Sequence, residues 1–236
     1  MTDLKYGNSG PHLIREKITE VMVFLFLIVP SSTFSFFASQ VGVPSFFLIG
    51  IMSIFTDLSL LALVLFFVWR NGEHFSEIGL QRRHWPREAL LGSILFIPFF
   101  FGIGMVEQIF RTIGLSSPDY SQFVRALTPS GPAEHVLAVI LVVVVALTEE
   151  TIFRGYLIGR FRLVMNRTTA ALLSASVFSL GHGYEGSAGA ATVGVIGLIF
   201  AAVYYWRKSL VAPMVMHFLL DFLGIIIVPL FMSGGR

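Results

Sequence analysis

Long apolar runs separated by short polar or basic stretches organise this chain. Candidate membrane spans fall at about 21–38, 46–69, 89–106, 134–164, 169–182, 190–206 and 210–230. Most reach or approach the ~20 apolar residues needed to cross a bilayer's hydrocarbon core. The fifth is short for a full crossing, and Pro229 is expected to end the last helix early. Residues 1–20 are polar and charged, an amphipathic or frayed entry. The pattern predicts an all-α fold, a polytopic transmembrane helical bundle of about seven spans, with an eighth left open by a re-entrant piece. It divides one integral domain into a polar N-terminal segment (1–20), N-terminal membrane helices (21–130) and a C-terminal set (131–236) that holds most of the buried polar residues.

Composition and charge sharpen this picture. The chain has 236 residues, 55% of them hydrophobic and only 13% charged, far more apolar than a soluble domain. Its basic residues sit in short connections between apolar runs, where the topology rule accounts for them, so no nucleic-acid partner is expected. There are no cysteines, which excludes disulfides, thiolate zinc sites and a cysteine nucleophile. No small-residue cleavage site follows the first apolar run, which therefore reads as a retained span rather than a signal peptide. With the N-terminus cytoplasmic, the inside segments hold 12 of the 16 Lys and Arg and the outside segments 3, with Arg154 left inside the membrane. That bias predicts a cytoplasmic N-terminus and termini on opposite sides. The compact chain without a targeting peptide reads as a prokaryotic inner-membrane protein. No inverted repeat of the transporter kind is visible. The small residues Ala190/Gly194 and Gly197/Ala201, each pair four apart, read as a close helix–helix contact.

Against this apolar background a few polar residues stand out. Glu149 and Glu150 follow the uninterrupted apolar run Val136–Leu147, at a cost of roughly 2.5–3.5 kcal/mol for each charge in lipid. Glu150 and Arg154 are i and i+4, with the acid on the better, N-terminal side for a helical ion pair. Glu149 lies about 100° around the helix from Glu150 and has no local partner. Spacing alone leaves either glutamate as the free one. His182 lies 16 residues after a turn at Asn166, and Glu149 lies 17 before it, so an antiparallel hairpin puts them at one depth. Phe178 is one turn before His182, suited to pack behind the ring. His217 and Asp221 are again i and i+4 on one face. The structural alternatives are an interhelical hydrogen bond for His182 and mutual pairing for His217 and Asp221, but three polar clusters on three helices are cheaper to bury together. Asp57 is a further carboxylate near mid-membrane that the sequence does not place, with a structural hydrogen bond and a functional role both open. Glu107 reads as interfacial, and His12, His74, His84 and His135 as surface residues.

Gly-x-Ser-x-Gly, Gly-x-Gly-Asp and His-Glu-x-x-His motifs are all absent. What remains is a carboxylate general base with histidine support, which suits hydrolysis by water without an acyl-enzyme. A divalent metal such as zinc on Glu149, His182 and His217 and a metal-free scheme are equally writable.

Glu149-Glu150-x-x-x-Arg154, Phe178-x-x-x-His182 and His217-x-x-x-Asp221, in that order on consecutive apolar segments, resemble the CPBP family of intramembrane proteases. That family contains the type II CAAX prenyl endopeptidases and bacteriocin-processing or immunity proteins. The resemblance covers about residues 134–228. It implies a helical bundle with a catalytic cavity open to the cytosol and the bilayer, and a membrane-bound peptide or protein as substrate. It implies that Glu149 is the base, that His182 helps hold the water, and that His217 with Asp221 forms the oxyanion site. Glu150 and Arg154 orient the cluster. Members are often labelled metalloproteases. The alternative from another class is a non-hydrolytic membrane scaffold, immunity protein or proton-coupled transporter using the same charges.

Overall fold

The computed structural model describes residues 11–34, 45–81, 84–116 and 127–233. The end of the first expected span, and Lys5, Arg82, Arg83, Arg125 and Arg236 of the charge pattern, lie outside the described residues. Among the described residues seven helical stretches follow one another: α1 (Pro11–Phe34), α2 (Phe46–Arg70), α3 (Trp85–Thr112), α4 (Pro132–Glu149, running on to Phe161), α5 (Arg167–Leu180), α6 (Gly186–Arg207) and α7 (Val211–Asp221, running on to Ser233). Short 3-10 turns at Phe75–Ile78 and Gly183–Glu185 join α2 to α3 and α5 to α6.

Among the described residues five stretches are long and apolar enough to cross a membrane: Phe46–Arg70, Trp85–Thr112, Pro132–Phe161, Gly183–Arg207 and Val211–Phe231. The protein is an integral membrane protein built as an all-helical bundle. Helix α5, with 14 residues, is about 21 Å long, short of the hydrocarbon thickness as the sequence suggested.

Burial separates central from peripheral helices. Half of the span window of α4 and of α6 is buried inside the protein, against 17% for α2 and 22% for α3 and α7. The outer three carry exposed Phe55, Phe66, Ile97, Phe101 and Leu230, as helices facing lipid can without penalty. Three apolar clusters join the layers. Val21, Phe24 and Ile28 of α1 pack with Val64, Phe67 and Val68 of α2 and Ile152, Tyr156 and Leu157 of α4. Phe46 of α2 packs with Leu137, Leu141 and Val142 of α4 and Ile226 of α7. Phe96, Phe99 and Ile103 of α3 pack with Ile196 and Phe200 of α6 and Met216 of α7. The polar residues of α4 and α7 lie where these clusters adjoin.

Gly197 and Gly155 allow close approach beside the polar residues of α4. A Cβ on Gly197 of α6 would sit 3.0 Å from the Ala175 Cβ on α5 and 3.4 Å from Arg154 Nη2. A Cβ on Gly155 would be 2.6 Å from the Ile78 carbonyl oxygen, so the turn 75–78 crosses α4 only because that side chain is missing. Near the other small pair, Ser179 Oγ donates to the Ala190 carbonyl at 2.6 Å. The small-residue spacing is a packing device between α5 and α6.

The structure departs from the sequence reading in four places. Residues 11–20 continue α1 as helix, and Lys17 and Glu20 are buried. Their partners are remote in sequence: Lys17 pairs with Glu73, and Asn71 Nδ2 donates to both Glu20 carboxylate oxygens at 3.0–3.1 Å. Helix α3 extends to Thr112, so Glu107 stands within it and pairs with Arg111. Helix α6 begins at Gly186 rather than 190. Pro229 does not end α7, which continues to Ser233. A π-type widening at Phe222–Ile227 precedes it and loosens the hydrogen-bond ladder where the proline would otherwise break it.

Candidate active site

Helix α4 changes its winding at the motif. It is regular to Glu149 and then takes a π-type turn over Glu150–Leu157 before resuming at Ile158. Such widened turns recur at functional sites because they re-aim successive side chains. The two glutamates, expected on different faces, reach the same imidazole. Glu150 Oε1 lies 2.9 Å from His217 Nδ1, and Glu149 Oε2 lies 3.6 Å from His217 Nε2. Asp221 Oδ2, one turn along α7, is 3.5 Å from the same Nε2.

Glu150 is wholly buried and holds the arrangement together. Its Oε1 accepts from Arg154 Nη1 at 2.8 Å as well as from His217. A carboxylate paired with a guanidinium is an acceptor only, so His217 Nδ1 carries the hydrogen that it donates, and Nε2 is the nitrogen turned toward Glu149 and Asp221. Arg154, 1% exposed, stacks its guanidinium 4.3 Å over the Phe178 ring and 5.3 Å from Phe200. Its i,i+4 pairing with Glu150 is the one read from spacing.

Phe178 is the hub of the apolar side. Its centroid is 4.8 Å from the His182 ring, 5.0 Å from Phe153 and 6.1 Å from His217. His182 lies just past the end of α5, and its Nδ1 lies 3.0 Å from the Phe178 carbonyl oxygen. A carbonyl only accepts, so Nδ1 bears the hydrogen, and a neutral ring presents its Nε2 lone pair. His182 also lies within electrostatic reach of His217 and Arg154.

The structure therefore brings all six sequence-derived residues, Glu149, Glu150, Arg154, His182, His217 and Asp221, to one place where α4, α5 and α7 meet. Their environments differ. Glu150 is fully enclosed, whereas the Glu149 side chain keeps 17% of its surface and that of Asp221 keeps 23%. Glu149 Oε2, Glu150 Oε2 and Arg154 Nη2 are buried without a hydrogen-bond partner among the described residues. Unsatisfied buried polar atoms are costly and uncommon in folded proteins.

Three residues join the site that sequence reasoning had left aside. Asp57 of α2 interacts electrostatically with His217, Asp221 and Glu149. Tyr184 stacks 5.9 Å from His182 and interacts with Glu149 and Asp221, and Glu185, hydrogen-bonded to Tyr184, faces Asp221 and Glu107. Tyr184 and Glu185 follow His182 by only two and three residues, and that proximity was the available signal. His12 and His135 stay apart, the first beside Glu16 and the second on the Gly131 carbonyl.

A groove of about 370 Å³ lies elsewhere, lined by His12, Arg15, Thr19, Glu20, Phe67 and Arg70 among others. It belongs to the α1–α2 surface and touches none of the six.

Both histidines engage Nδ1, on Phe178 and on Glu150, and leave Nε2 free, an arrangement that water and a metal ion can both use. Among the described residues no group of three or more His, Asp or Glu is arranged to hold one. Glu149, His182 and His217 were the set named for zinc, and no step below is routed through a metal.

The six residues keep the order and spacing of three motifs on successive helices, and comparison with known families bears on that order. Residues 131–223 match the Rce1-like family. The matching family model is described as type II CAAX prenyl endopeptidase Rce1-like. The resemblance to CPBP proteases read from the motifs is borne out over this stretch, which runs from the residue before α4 into the widened turn of α7 and contains all six side chains. No curated protein and no solved structure matches the chain. Over residues 131–223 this integral membrane protein is thus similar to a family of membrane proteases.

Proposed function

We propose that the protein is an intramembrane endopeptidase that hydrolyses a peptide bond of a membrane-associated, CAAX-like or lipid-modified peptide with water activated by Glu149 and His182. The observation that carries this reading is the bracketed imidazole. Glu150 occupies Nδ1 of His217, while Nε2 faces the unsatisfied Oε2 of Glu149 and the carboxyl of Asp221.

Chemistry follows from the donor and acceptor inventory. Water between Glu149 and His182 gives one hydrogen to the Glu149 carboxylate and the other to the His182 Nε2 lone pair, which leaves an oxygen lone pair to attack the carbonyl carbon. His217, protonated at both nitrogens, turns Nε2–H toward the developing oxyanion, and a protonated Asp221 adds a second donor. Glu150 and Arg154 hold His217 in place and take no proton. Glu149 then hands its proton to the leaving nitrogen. Apolar walls and lipid exclude bulk water, which strengthens each of these interactions.

The charge bias of the connecting segments supports a cytoplasmic N-terminus. The test is cleavage of a quenched fluorescent S-farnesyl CAAX peptide by the purified protein in lipid nanodiscs. Glu149→Gln keeps shape and hydrogen bonding but removes the base. Its turnover is expected to fall about 10²–10⁴-fold, the usual worth of general-base catalysis, with the melting temperature unchanged. Near-normal turnover in this variant rules the scheme out. Absence of cleavage by the wild-type protein favours the scaffold, immunity or transporter reading. Inhibition by a zinc chelator, reversed by added zinc, brings back the metal-dependent route.

A further inference from the structure

Asp57 is an intramembrane carboxylate that the scheme above does not use. It lies on the face of α2 that carries Ile54 and Leu60, three residues away on either side. Ile54 packs into the cluster of α4 and α7, and Leu60 into the cluster of α1, α2 and α4. Asp57 therefore points inward between the two clusters. There it meets the fields of Glu149 on α4 and of His217 and Asp221 on α7. Among the described residues no side chain or backbone group donates it a hydrogen bond.

The local charges are out of balance. Arg154 is bound to Glu150, and so is Nδ1 of His217. Among the described residues Asp57 thus meets one cationic neighbour, the His217 ring, which it shares with Glu149, while Glu149 also feels Arg154. An ionisable side chain at this depth is retained for a function unless it is paired, and what the cavity lacks is an N–H donor or a positive charge. A peptide substrate supplies both. Its scissile amide presents an N–H before cleavage, and its leaving fragment presents an amine afterwards.

We propose that Asp57 is a further substrate-holding residue: from the α2 wall its carboxylate accepts the scissile N–H and then pairs with the ammonium end of the leaving fragment. This inference rests on the endopeptidase reading. In that reaction the water oxygen bonds to the carbonyl carbon and the C–N bond breaks. One water proton reaches the nitrogen through Glu149. The carboxylic acid formed gives its proton to the amine, so the fragments part as carboxylate and ammonium. Glu149 holds the water from α4, the oxyanion donors lie on α7, and Asp57 alone approaches from α2, which leaves it the nitrogen side of the bond.

The test uses a Val-Ile-Met tripeptide with a free amine and its N-acetyl form, titrated calorimetrically into the full-length protein in detergent. The wild-type protein is expected to bind the free amine about tenfold tighter. Asp57→Asn, isosteric but uncharged, is expected to bring the two within about twofold at an unchanged melting temperature. A wild-type protein that does not prefer the amine, or a preference that survives Asp57→Asn, overturns the proposal. A diazirine on the first residue of the tripeptide gives a readout that needs no variant. Labelling around Asp57 on α2 is expected, and labelling that misses α2 overturns it. If the farnesyl peptide is not cleaved while the amine preference depends on Asp57, the endopeptidase reading fails and the amine site stands. If cleavage depends on Glu149 while the preference is absent, only the role of Asp57 fails.

Discussion

Two buried ion clusters hang on the same helix, ten residues apart, and they are built to opposite ends. Around Arg160 the network is nearly saturated. Arg160 clamps Glu73 with two hydrogen bonds of 2.7 and 3.0 Å, and Lys17 pairs with the same carboxylate. Asn71 and Arg70 serve Glu20, and Tyr156 lies beneath the Arg160 guanidinium. Among the described residues only the Arg160 Nε is left without a partner there. Around Glu150 one oxygen takes two donors, while one oxygen of each glutamate and one Arg154 nitrogen take none. The first arrangement satisfies its charges and joins α1, the α2–α3 connection and α4. The second keeps acceptors open beside carboxyls that retain 17% and 23% of their side-chain surface, as the proposed binding of water and substrate requires. Hydrogen-bond satisfaction, not charge or depth, separates structural glue from candidate chemistry.

The largest expected contrast is within the second cluster. Glu149→Gln should abolish turnover while leaving the fold intact. Glu150→Gln should leave Arg154 without a counter-charge and lower stability by about 3–5 kcal/mol, read as a fall in detergent melting temperature. If Glu150→Gln stays stable and loses turnover while Glu149→Gln remains active, the two roles are reversed.

In the first cluster, Glu73→Gln removes the acceptor of Lys17 and Arg160. A loss of about 1.5–3 kcal/mol is expected, with KM and kcat of the remaining folded protein unchanged. A large drop in kcat without a change in melting temperature would tie this network to the reaction.

Acid gives a finer version of the same test. Burial pushes the Glu73 carboxyl up, but hydrogen bonds from Arg160 and Lys17 outweigh it and hold the group below its ordinary value of 4.5. A depressed folded value means that the stabilisation is complete above the unfolded pKa and disappears as pH falls through the folded one. The melting temperature of the wild-type protein should thus fall below about pH 4.5 more steeply than that of Glu73→Gln. Parallel curves for the two proteins would show that Glu73 is not the group lost in acid.

The smallest effect is expected from packing beside the site. Gly197→Ala places a methyl 3.0 Å from the Ala175 Cβ and 3.4 Å from Arg154 Nη2. A cost of about 1–3 kcal/mol follows from overpacking, with a partial loss of turnover as Arg154 shifts. Full activity and stability would mean that α5 and α6 separate freely at this point.

Much of this was legible from the sequence because membrane insertion makes polar residues expensive. Apolar runs marked α2, α4, α6 and α7 to within a few residues, and the small-residue pairs marked the α5–α6 contact. Glu149, Glu150, Arg154, His182, His217 and Asp221 stood out against lipid-compatible neighbours, and the i,i+4 spacing of Glu150 and Arg154 already contained their ion pair. Regular helical spacing set the adjacent glutamates about 100° apart, and both keep α-helical backbone angles. Spacing could not show that the His217 ring of α7 lies between them, with one nitrogen toward each. Nor does local sequence reveal that Lys17 and Glu20 are buried, since Glu73, Asn71 and Arg160 reach them from 51 to 140 residues away along the chain. Asp57 shows the same limit. Its cost in lipid is written in the sequence, but the identity of the residues it faces depends on how α2 leans across α4 toward α7, and that is set by packing between helices rather than by any pattern along one of them.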